Sequence, residues 1–79
     1  MKQINVKTAH RLFESGKEVF LQSSNMRFES VWCNAMPLKK ETAFTDDWEY
    51  IVADFAYYNC DNERGKYIHY FVRLSDYTK

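Results

Sequence analysis

The sequence predicts a small α+β domain in the order αββαβ, a three-stranded, mainly antiparallel sheet with two helices on one face. Three observations carry this. In residues 67–74, Ile68, Tyr70, Val72 and Leu74 alternate with Tyr67, His69, Phe71 and Arg73. Period-two alternation of β-branched and aromatic residues marks a strand whose successive side chains face opposite sides of a sheet. Residues 47–58 carry Trp48, Ile51, Val52, Phe55 and Tyr58 as an apolar stripe at helical spacing. Between the helical stretches, residues 17–22 and 30–36 alternate like strands.

Taken in chain order, the first helix is expected from Val6 or Thr8 to Ser15. Asn5 and Thr8 are both candidate N-caps, because their side chains can accept from amides of the first turn that lack a partner. Ala9, Leu12 and Phe13 give the i, i+3, i+4 stripe, and Gly16 stands where a left-handed residue ends a helix. Ile4, just before, either packs back on this helix or pairs as an edge strand. The first strand sets Val19 and Leu21 against Glu18, Phe20 and Gln22. A polar loop follows over 23–27. The second strand sets Val31, Cys33 and Ala35 against Trp32, Asn34 and Met36, and Pro37, which has no N–H for a ladder, is expected to end it.

Residues 37–45 read as a charged loop. The second helix then starts with a D-x-x-E pattern, Asp46 and Glu49, with Thr45 as a competing cap. Its acidic start suits the positive end of the helix dipole. A turn over 59–65 closes on Gly65, and residues 75–79 are expected to fray. Both helices bear one stripe and so cover one face of the sheet. Placing the last strand beside the first makes the sheet antiparallel in order 2-1-3. Placing it beside the second makes a right-handed parallel crossover. The antiparallel order is preferred for a sheet this small.

The chain of 79 residues is read as a single domain with a thin core. Two Trp, six Tyr and six Phe are therefore substantial, since each ring buries about 150–250 Å². Eleven basic residues balance eleven acidic ones, so no net field draws a polyanion from a distance. Cys33 and Cys60 form no CxxC motif, and neither a secretory leader nor a membrane-length apolar run is read. The expectation is a reduced, cytoplasmic protein without membrane contact, a Cys33–Cys60 disulfide being the alternative.

The candidate site is the sheet face away from the helices. It carries Phe20, Gln22, Trp32, Asn34, Tyr67, His69, Phe71 and Arg73. Trp32, Tyr67 and Phe71 would anchor a protein partner or a second copy, with His69 and Arg73 giving direction. The same rings could stack bases of single-stranded nucleic acid while Arg73 neutralises phosphate. The plainer reading is that these residues cover one another or lie beneath a neighbouring segment.

Three chemical readings are weaker. Cys60, His69 and Asp61 have the types of a nucleophilic set, but no local signature surrounds Cys60. The preferred reading is that Asn59, Asp61 and Asn62 satisfy the helix end and turn while Cys60 is a small buried apolar group. His10, Cys33, Cys60 and His69 lack zinc-ligand spacing. Nothing in their spacing makes His10 and His69 meet as the two histidines of a nuclease. No catalytic residue, metal or cofactor is expected.

Two stretches, residues 12–21 (LFESGKEVFL) and 55–67 (FAYYNCDNERGKY), resemble small uncharacterised accessory proteins of Gram-positive phages and conjugative elements. The resemblance covers about a third of the chain and implies a role in modulating another protein. It transfers no catalytic or binding residue.

Overall fold

The computed structural model describes residues 1–23, 35–59 and 68–77. Within them the order is β1 (Lys2–Ile4), α1 (Val6–Glu14), β2 (Val19–Ser23), β3 (Met36–Leu38), α2 (Trp48–Asn59), β4 (Ile68–Val72) and α3 (Leu74–Tyr77). The strands form one four-stranded sheet in the order β1-β4-β2-β3, every pair antiparallel. β2 lies between β3 and β4, all antiparallel, but β3 shares only Met36 with the strand expected over 30–36. A fourth strand and a third helix enlarge the three-stranded, two-helix layout.

The fourth strand is β1, which lies along the outer side of β4 with Lys2 opposite Val72 and Ile4 opposite Tyr70. Ile4 thus pairs as an edge strand and also packs against the main core. Three residues with one apolar side chain show no periodicity of their own, and β4 supplies the template. Pro37 does not end β3 but sits inside it, opposite Phe20. As an edge strand β3 tolerates a residue without an N–H, because that side of the backbone can face away from the ladder. Of the strand expected over 30–36, residues 30–34 lie outside the described residues. Ala35 precedes β3 and clusters with Phe20 and Phe71, whereas Met36 packs against the main core. The two expected faces are thus exchanged, one step of register apart.

Helix α1 forms as its caps require. The Asn5 side chain accepts from the Thr8 amide at 2.8 Å. At the other end the Lys17 amide donates to the Leu12 carbonyl and the Gly16 amide to the Phe13 carbonyl, both at 3.0 Å. This is a Schellman closure, and Gly16 provides the left-handed residue it needs, with φ +92°. Helix α2 is capped by Asp47, one residue later than expected. The Asp47 carboxylate accepts from the Tyr50 amide at 3.2 Å, and Thr45 Oγ1 instead accepts from the Asp47 amide.

The main core joins both helices to one face of the sheet. Ala9, Leu12 and Phe13 of α1 and Trp48, Ile51, Phe55 and Ala56 of α2 meet Val19, Leu21, Leu38, Ile68, Tyr70 and Val72. The stripe on α2 includes Ala56 and leaves Tyr58 exposed. At about 100° per residue these two fall on opposite flanks of the stripe, and the helix rolls toward the small side chain. Leu74 does not continue the core face of β4. The strand stops at Val72, the amides of Asp76 and Tyr77 turn back to the Arg73 carbonyl, and Leu74 opens α3 exposed to solvent. Residues 75–77 are therefore helical rather than frayed.

Candidate interaction surface

The parity of β4 places Phe71 opposite the helix layer. Phe71 pairs with Phe20 across β2 and β4, and the two rings form with Ala35 a cluster separate from the main core. Both are covered within the chain, at 8% and 7% exposure. They fill space and present no open ring face. Gln22, next on the same side of β2, is fully buried, and among the described residues its Nε2 and Oε1 have no hydrogen-bond partner.

The polar members of this face remain closer to water, though engaged. His69 stands opposite Gln22, and its Nδ1 lies 3.3 Å from Gln3 Nε2 of β1. Arg73 is exposed, ion-pairs with Glu18 and places its guanidinium 5.1 Å from the centre of the Phe20 ring. The structure thus brings Phe20, Phe71, His69 and Arg73 to one face of the β2–β4 pair. Trp32 and Tyr67 lie outside the described residues, as do Asn34, Cys33, Cys60 and Asp61. His10 belongs to the helix layer, so it and His69 stand on different sides of the sheet. Among the described residues no group of three or more His, Cys, Asp or Glu could hold a metal ion. None of their helices is long and apolar enough to cross a membrane.

A concave surface lies on the opposite side, between α1 and α2. It is an open groove of about 790 Å³ with Val6 and His10 on one wall and Trp48, Val52, Ala53 and Tyr57 on the other. Lys7 stands on the α1 wall and Glu49 on the α2 wall. Packing sets its floor. The His10 imidazole lies flat on the Trp48 indole, and Trp48 is also in ring contact with Phe13 and Tyr70. His10 Nε2 is 3.2 Å from Glu14 Oε2, and Lys40 Nζ donates to Glu14 Oε1 at 2.7 Å. This bond from Lys40 is the chief reason the Glu14 carboxyl is held below its ordinary value of 4.5 and the Lys40 ammonium above 10.5.

No family model, curated protein or solved structure matches this chain.

Exposed rings gather on and near α2. Tyr57 is 63% exposed on the groove wall and touches Tyr58 edge to face. Tyr50 and Phe44 form a second exposed pair, with ring centres 5.7 Å apart. The expectation of a docking surface on the sheet face did not include these residues. A signal was present nonetheless. Helix α2 holds five rings in twelve residues, more than one apolar stripe can bury.

Proposed function

We propose that this chain is a non-enzymatic protein-interaction module that acts by contact, with the aromatic groove between α1 and α2 as its contact surface. One observation carries the reading: the large apolar side chains Val6 and Tyr57 are exposed on opposite walls of a concave surface, at 49% and 63%. Contiguous exposed apolar surface on a small domain marks a place where something else packs, and tyrosine is enriched where one edge of an interface remains wet. The sheet face offers less to a partner. Phe20 and Phe71 are already covered, and Arg73 is paired with Glu18. Base stacking by single-stranded nucleic acid also needs open ring faces. The resemblance of residues 12–21 and 55–67 supports an accessory role in a phage or conjugative element, working on another protein in the cytoplasm.

The test is site-specific photo-crosslinking in cells. A photoreactive phenylalanine analogue at Tyr57 should yield protein adducts of defined mass. The same analogue at Tyr77, an exposed ring that lies over Lys2 rather than in the groove, should yield none. Equal labelling from both positions, or none from Tyr57, would overturn the assignment.

A further inference from the structure

Resting on the reading that the chain works by contact through its helix layer, we infer that the occupant of the groove is a second copy of this chain. The copies pair about a two-fold axis, each α1 against the other copy's α2. The two walls carry opposite charge. Lys7 is exposed on the α1 wall, while the acid of α1, Glu14, is already bonded to Lys40. The α2 wall carries Glu49, and α2 with the turn before it holds no Lys or Arg. Among the described residues, none of Lys7, Arg11, Glu49 or Asp54 takes part in an ion pair.

In a two-fold interface, a residue that meets a second residue of the other copy is itself the one that second residue's counterpart meets. A surface with a cation on one wall and an acid on the other is then its own complement, and Lys7 meets Glu49 twice. A foreign partner would have to present both signs in the same opposed arrangement, whereas a second copy has them by construction. The zero net charge of the chain means that no overall repulsion opposes pairing. Pairing also removes Val6, Val52 and Tyr57 of both copies from water together, with charges at the rim setting the orientation.

The experiment is sedimentation equilibrium of the purified chain over a concentration series, for wild type, Lys7→Glu, Glu49→Lys, the double variant and an equimolar mixture of the single variants. Wild type should form a dimer. Each single reversal should raise the dissociation constant about tenfold or more, because like charges then meet at both contacts. The double variant and the mixture should both recover the wild-type constant, since each restores opposite charges across both contacts. Far-UV circular dichroism checks that the variants fold, and Lys7→Gln with Glu49→Gln replaces any reversal that does not. A wild type that stays monomeric overturns the inference, as does a dimer indifferent to the reversals or not restored by the swap. The two readings fail separately. A monomer whose Tyr57 crosslinks to a different protein removes the second copy and keeps the contact surface. A monomer with no adduct removes both.

Discussion

His10 and Trp48 lie face to face between the two helices, ring centres 5.0 Å apart and planes within 8° of parallel. The contact is asymmetric in burial. Trp48 is almost fully covered, whereas the His10 side chain keeps 42% of its surface. Trp48→Ala removes the ring against which His10, Phe13 and Tyr70 all pack and should cost about 3–5 kcal/mol. That is a large part of the ~5–15 kcal/mol typical of a whole domain. His10→Ala loses one stacked face at the rim and should cost about 0.5–1.5 kcal/mol. Urea unfolding of the two variants should show this ordering, and equal losses would mean that Trp48 is not the keystone of the helix layer.

The start of α2 offers a cleaner comparison between adjacent residues. Asp47 accepts from the Tyr50 amide, whereas no side-chain bond of this kind to the first turn of the helix involves Asp46 among the described residues. Asp47→Ala should therefore cost about 1 kcal/mol, and Asp46→Ala only a few tenths from the weakened dipole interaction. Thermal or urea melts decide it. A larger loss from Asp46→Ala would return the cap to the D-x-x-E pattern that the sequence suggests.

Much of the fold was legible because it rests on local rules. Asn5 as cap, Gly16 as the left-handed closing residue and the two-faced alternation of β4 all follow from short-range chemistry and hold in the structure. What the sequence left open or missed depends on distant partners. β1 is a strand only because β4 lies beside it. Period-two alternation tells which face Phe71 occupies, yet whether that face is open depends on the rest of the chain, and Phe71 is covered. The groove was hidden for a similar reason. The surplus of rings on α2 is visible in the sequence, but a concave surface exists only once Val6 and His10 of α1 are set beside Trp48 and Val52.

Gln22 tests the inner side of the second face. Its amide is fully buried beside the Phe20–Phe71 pair, with neither polar atom hydrogen-bonded among the described residues. An unmet buried amide is a penalty of about 1–3 kcal/mol. Gln22→Met keeps the length of the side chain and removes both polar atoms, so it should raise stability by about that amount. Gln22→Ala leaves a void and should lower it. If Gln22→Met destabilises the chain in urea, the amide has a partner that the described contacts do not include, such as a trapped water.

The Glu14–Lys40 pair gives the pH dependence, and its sign follows from the two shifts. Glu14 titrates below 4.5 in the folded chain, chiefly because Lys40 donates to it. Its contribution is present above the unfolded value and is lost as pH falls through the folded one. Lys40 titrates above 10.5, so its contribution is present below that value and is lost as pH rises through the folded one. The pair therefore acts across the neutral range and fades at both ends. Both groups are at the surface, so added salt should weaken the effect. NMR titration of the Glu14 carboxyl carbon should give a midpoint below 4.5 that rises in Lys40→Met, because the largest cause of the depression is gone. His10 Nε2, 3.2 Å from the other oxygen, should keep part of the depression in that variant. A midpoint unmoved by Lys40→Met would mean that the bond joining the loop after β3 to the end of α1 does not persist in solution.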